Sequence, residues 1–93
     1  MVIQDGKNGD VTFVCNLVPA PKGVYLVGEF NQWNPTTIRM LPGQDGVFRA
    51  KVRLAPGEYQ YKFVADGVWL NDPDAESQVV TSYRALSSVV TVR

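Results

Sequence analysis

Proline and glycine interrupt this chain so often that no uninterrupted stretch is left for a helix. Pro19, Pro21 and Gly23 follow the first apolar run. Pro35, Pro42, Gly43 and Gly46 break up the middle, and Pro56-Gly57 and Asp66-Gly67 are paired turn signals. Between the breakers lie short alternating stretches rich in Val, Tyr, Phe and Thr. No window of about 11 residues holds a helical apolar period. Short strands separated by turns at this spacing predict an all-β sandwich. Strands are expected over Asp10–Val18, Gly23–Gly28, Thr37–Met40, Val47–Leu54, Glu58–Ala65, Val68–Asn71, Gln78–Tyr83 and Ser88–Val92.

At 93 residues the chain suits a single domain, 1–93, with its core over 10–93 and residues 1–9 as a flexible lead. One cysteine excludes an internal disulfide, so the fold rests on a packed core. Val11, Phe13, Cys15 and Leu17 share one strand face, which makes Cys15 a small core residue rather than a reactive thiol. The apolar runs, such as Val24-Tyr25-Leu26-Val27, fall far short of the roughly 20 residues of a membrane helix. The polar N-terminus has no signal-peptide apolar region, so a cytoplasmic location and no membrane partner are expected.

Two dipeptides suggest hairpins. Around Pro56-Gly57, pairing Ala55 with Glu58 sets Leu54 against Tyr59, Val52 against Tyr61 and Ala50 against Phe63, apolar to apolar throughout. Asp66-Gly67 is the signal for a two-residue type I′ turn. It pairs Ala65 with Val68, Val64 with Trp69 and Phe63 with Leu70. Trp69 then falls on the face opposite the core, with Val64, Lys62, Asn71 and Gln60. The first hairpin adds Arg49, Lys51 and Arg53 to that face. A tryptophan among such residues suits an exposed binding platform, because burying it there would bury charges.

Catalytic equipment is sparse. There are nine basic and nine acidic side chains and no histidine. Balanced charge argues against nucleic acid as a partner, and the lack of His removes the usual general base and the usual metal ligand. Asp72 and Asp74 form the only suggestive carboxylate pair, but Asn71-Asp72-Pro73-Asp74 reads as a turn in which Asn and Asp cap backbone groups. Together with Glu76 they lack the remaining ligands of a calcium loop. No glycine loop of the phosphate-binding kinds is present, so no cofactor and no metal are expected. The exposed face instead suits a flat, neutral, hydroxyl-rich ligand: sugar C–H faces stack on indole, and hydroxyls pair with Lys, Asn, Gln and Ser.

Three segments carry a resemblance: Val24-Tyr25-Leu26-Val27-Gly28-Glu29-Phe30-Asn31-Gln32-Trp33; Gly57-Glu58-Tyr59-Gln60-Tyr61-Lys62-Phe63; and Asp66-Gly67-Val68-Trp69 with Asn71-Asp72-Pro73. In order and spacing they closely resemble the family 48 carbohydrate-binding modules. These include the glycogen-binding domain of AMP-activated kinase β subunits and the N-terminal domains of isoamylases and branching enzymes. The resemblance runs from about Val11 to Val92.

It implies an immunoglobulin-like (early-set type) β-sandwich that binds α-1,4-linked glucans, as polysaccharide or oligosaccharide, without catalysis. The family's two platform tryptophans and lysine correspond to Trp33, Trp69 and Lys62. Trp33 lies in a loop, where folding onto the core is the alternative. Near the C-terminus the chain departs from the kinase pattern. Tyr83 or Arg84 stands near a sugar-threading leucine, and Ser87 near a binding asparagine. Ser87 reaches less far than asparagine, and Tyr83 either stacks or packs. The rival role is a docking domain that binds a catalytic domain or kinase subunit. Of the ten aromatics, Phe13, Tyr25, Phe48, Tyr59, Tyr61 and Phe63 are assigned to the core, and Phe30 and Tyr83 are left open.

Overall fold

The computed structural model describes residues 1–4, 9–17, 21–80 and 86–92. Two antiparallel sheets face one another across an apolar core, the immunoglobulin-like sandwich. One sheet contains β1 (Val2–Gln4), β2 (Asp10–Cys15), β5 (Phe48–Arg53) and β4 (Leu41–Pro42), in that spatial order. The other contains β3 (Val24–Gly28), β6 (Gly57–Ala65), β9 (Leu86–Val92) and β8 (Ser77–Val80), with β7 (Val68–Leu70) paired to the end of β6. A short 3-10 turn, Glu29–Asn31, follows β3. Among the described residues no helix is long and apolar enough to cross a membrane.

Alternation sets each strand's two faces. Val11, Phe13 and Cys15 of β2 meet Val24 and Leu26 of β3, Tyr61 and Phe63 of β6, and Val90 and Val92 of β9 in one buried cluster. The core is therefore aromatic at its centre. The Phe13 ring lies edge-on to Tyr61 at 5.0 Å, and Tyr61 edge-on to Phe63 at 5.9 Å. Cys15 is a free, buried thiol, as its strand face predicts. Burial, and then the nearby Asp72 charge, push its pKa up to about 11, which makes it inert at neutral pH.

The Asp66-Gly67 hairpin has the predicted register, with Ala65 opposite Val68, Val64 opposite Trp69 and Phe63 opposite Leu70. Asp66 and Gly67 both adopt positive φ (48° and 83°), as a type I′ turn requires.

Pro56-Gly57 does not make a hairpin. β5 pairs with β2 and β4, whereas β6 pairs with β3, β7 and β9, so the chain crosses from one sheet to the other at this point. Proline holds φ near −65° and cannot take the positive φ that opens a type I′ turn. The apolar residues of the two strands face one another across the core instead of lying side by side. Arg49, Lys51 and Arg53 therefore sit on the outer face of the opposite sheet, away from Trp69. There Arg49 pairs with Asp45 at 2.9 Å and Arg53 with Asp10 at 3.3 Å.

Three further expectations change. Residues 38–40 form no full strand, but they track β3: Leu26 N donates to Ile38 O and Met40 N to Val24 O, both at 2.9 Å. Tyr25 is half-buried on the outer face opposite Val64, not in the core. Residues 1–9, assigned no strand from sequence, contribute β1, in which Val2 lies opposite Phe13.

Candidate functional site

The outer face of the second sheet is ordered by the ladder of β6. Tyr25, Val64 and Trp69 form one row across three strands. Val27 and Lys62 form the next. Ser77, Val89 and Gln60 form the one after that. Trp69 is 47% exposed and Val27 is fully buried, so the face has an apolar floor with a prominent indole at one end. Lys62 is half-buried on this face, and no carboxylate among the described residues pairs with it. The structure thus brings Trp69 and Lys62 together as the hairpin register predicts.

Trp33 is half-buried in the loop that follows β3, and the construction of that loop explains the Gly28–Trp33 sequence. Gly28 has an ordinary extended φ of 178°, so its requirement is spatial. A Cβ on it would lie 2.6 Å from the Phe30 ring and 2.7 Å from the Gln60 carbonyl. Phe30 passes over Gly28 and packs on the core, 5.6 Å from the Phe13 ring and 6.2 Å from the Tyr59 ring. Glu29 accepts a hydrogen bond from Gln60 N at 2.6 Å, where the ladder to β3 ends.

Asn31 ties the loop together. Its Oδ1 accepts from Gly28 N at 3.0 Å, and its Nδ2 donates to Leu26 O (3.3 Å), Asn34 O (3.1 Å) and Thr37 Oγ1 (3.0 Å). Gln32 and Trp33 are both left-handed, with φ of 56° and 59°. Trp33 N then donates to Gly28 O at 2.9 Å, which fixes its backbone at the end of β3, one residue beyond Val27. Phe30, not Trp33, is the loop's anchor in the core. Sequence reasoning missed Asn31 and Glu29. An Asn three residues after a glycine that ends a strand was the available sign, because Asn bonds local backbone.

Ser87 points to the platform side of β9 by alternation, since Ser88 lies opposite Tyr61 on the core side. It is only 2% exposed and so belongs to the floor of that face, with little surface to offer. Tyr83 lies outside the described residues.

The Asp72–Asp74 segment is a turn, as its sequence predicts. Asp72 Oδ1 accepts from Asp74 N at 2.9 Å, an Asx turn of the expected kind. Asp72 is also 1% exposed, which the sequence did not suggest. Tyr61 Oη donates to its Oδ2 at 2.6 Å, the Met1 amino group also contacts it, and its backbone N donates to Ser88 Oγ at 2.8 Å. Burial and the Asp72 hydrogen bond push the Tyr61 phenol well above its ordinary range. This buried polar link fastens the turn after β7, and so the strand carrying Trp69, to the core. A cavity of about 240 Å³ beside it is lined by Cys15, Phe63, Asn71 and Asp72. Burial keeps its thiol protonated at neutral pH. Among the described residues no group of three or more His, Cys, Asp or Glu side chains is placed to hold a metal.

Comparison with known proteins bears on the family and the fold. The chain is 46% identical over 50 residues to the chloroplastic protein FLOURY ENDOSPERM 6 of Oryza sativa, covering 54% of this chain and 9% of that protein. It is 36% identical over 72 residues to the 5'-AMP-activated protein kinase subunit beta-1 of Homo sapiens, covering 77% of this chain and 25% of the subunit. It thus spans only a small part of either relative. The crystal structure of a maltogenic amylase from S. marinus superposes on the whole chain with a TM-score of 0.79 and 26% identity, using 16% of the amylase. The profile of the glycogen recognition site of AMP-activated protein kinase matches residues 7–93, and the chain belongs to that family of carbohydrate-binding modules.

Proposed function

We propose that the chain binds α-1,4-linked glucans such as glycogen, starch and maltooligosaccharides, without catalysis, through the outer face of its second sheet. Trp69 and Trp33 stack on glucose rings, and Lys62 donates to their hydroxyls. Tyr83, from the segment before β9, is assigned a supporting contact, and Ser87 shapes the floor beneath the sugar. The observation that carries this proposal is the coincidence of a 47% exposed indole with Lys62 on one apolar-floored face. A compartment that stores glucan, the cytoplasm or a plastid, suits this role.

Retention on amylose or glycogen and titration with maltoheptaose test it. Removing one stacked ring costs about 1 kcal/mol, or roughly fivefold in affinity. Trp69→Ala and Trp33→Ala should each weaken binding by that factor while leaving the fold intact. Equal retention of wild type and Trp69→Ala would rule the platform out.

A second role, docking to a kinase subunit or a catalytic domain, is supported by a different face. The outer side of the first sheet exposes Ile3 and Leu41 beside Arg49 and Arg53. Exposed apolar side chains beside arginines suit protein interfaces. The two roles use opposite faces of the sandwich and are compatible.

A further inference from the structure

The rows on the outer face do not stop at Lys62. One row further along β6, a groove of about 240 Å³ opens, lined by Glu29, Glu58, Tyr59, Gln60, Ser77, Val79 and Val89. Its floor is Val89, which is 5% exposed although it points away from the core. Gln60 lies opposite Val89 on one side, and Ser77 lies opposite it on the other. Glu58 stands two residues before Gln60 on the same face. Strand rise puts the Gln60 row about 13 Å from the Trp69 row along β6. Lys62 lies between them, so the platform and the groove form one track.

The chemistry of the groove differs from that of the platform. Its floor is a valine in place of an indole, Tyr59 is the one aromatic in its lining, and no cation is among its lining residues. It offers carboxylate and amide oxygens as acceptors and Ser77 and Gln60 as donors. Glu29 spends one oxygen on Gln60 N and keeps the other. Anions are disfavoured beside two carboxylates. A polyhydroxylated neutral chain is favoured: its C–H faces lie on valine and its hydroxyls donate to charged acceptors, the stronger kind of hydrogen bond.

We infer that this groove is an extension subsite, in which Glu58 and Gln60 grip the part of a glucan that runs beyond the tryptophans. The inference rests on the platform function proposed above. Its consequence is selection for chain length: short oligosaccharides use the platform alone, and longer ones gain from the groove.

Titrations of maltotriose and of maltoheptaose, followed by tryptophan fluorescence, test it on wild type, Glu58→Gln and Gln60→Ala. Both substitutions are at surface positions on the strand's outer face, and neither removes a backbone hydrogen bond. Wild type should prefer maltoheptaose. Each variant should lose about fivefold in maltoheptaose affinity, one hydrogen bond's worth, with maltotriose affinity unchanged. Amide resonances of Ser77 and Val79 should shift with maltoheptaose and not with maltotriose. If the variants weaken both sugars equally, or neither, the groove is no subsite. If those variants behave as wild type while Trp69→Ala loses binding, the platform stands and the extension fails. If wild type binds neither sugar, the platform is refuted and the extension goes with it.

Discussion

Replacing Asn31 by alanine should separate the stability of this module from its ability to bind. Two of the four Asn31 hydrogen bonds, from Gly28 N and to Leu26 O, are partly buried. At about 1 kcal/mol each they contribute about 2 kcal/mol. The bonds to Asn34 O and Thr37 Oγ1 face solvent and add roughly half a kcal/mol between them. Against this stand two consecutive left-handed residues, Gln32 and Trp33, whose backbone conformation costs on the order of 1–2 kcal/mol each. The bonds and the strain are of similar size.

Without Asn31 the loop therefore relaxes and recovers much of what it lost, and the net destabilisation is about 1 kcal/mol, or roughly 4–8 °C in melting temperature. Phe30 stays in the core, so the sandwich survives. Trp33 no longer waits in position, and its stacking must now meet the cost of ordering the loop, about 1 kcal/mol or fivefold in affinity. The assay is a maltoheptaose titration beside a thermal melt, on Asn31→Ala and Trp33→Ala together. Asn31→Ala with wild-type affinity, alongside a weakened Trp33→Ala, would refute the claim that Asn31 preorganises the tryptophan. Asn31→Asp should be no better than alanine, since it keeps the acceptor for Gly28 N but turns a carboxylate toward the Leu26 and Asn34 carbonyls.

Two other outcomes concern the core. Gly28→Ala should destabilise by about 2 kcal/mol or more in a thermal melt, because one of the atoms its Cβ meets is the Gln60 backbone oxygen, which cannot step aside. Tyr61→Phe should cost about 1–3 kcal/mol, because it leaves the buried Asp72 carboxylate without one donor. The same phenol sets an alkaline limit. The folded state raises its pKa, so above the ordinary value of 10.0 the unfolded chain ionises first and stability falls as pH rises. Melting temperatures of wild type should decline more steeply above pH 10 than those of Tyr61→Phe; parallel declines would contradict the burial argument.

The two turn dipeptides show what the sequence could and could not disclose. Asp66-Gly67 carries its own geometry, because few dipeptides accept two positive φ values, so the Trp69 register followed from local chemistry. Pro56-Gly57 carries no such constraint. Apolar matching around it was satisfied by lateral pairing in one sheet, and equally by two strands facing across a core. Only the partners far away in sequence, β2 for β5 and β3 and β9 for β6, decide between them. Tyr25 went astray in a similar way: the run Val24–Val27 is apolar on both faces, and alternation alone does not say which face is the core. Trp33 was out of reach of periodicity because a loop places it, and Asn31 does that work through bonds to backbone.

The Glu29 contact has a meaning beyond the loop. β6 is nine residues long, and β3 accompanies it only over Tyr61–Ala65. The remaining half of that edge is the kind of open backbone that invites a strand from another molecule. The Glu29 carboxylate takes the Gln60 amide there and presents negative charge to the carbonyls any incoming strand would bring. The residue that closes the loop after β3 thus also discourages edge-to-edge self-association between copies of the chain.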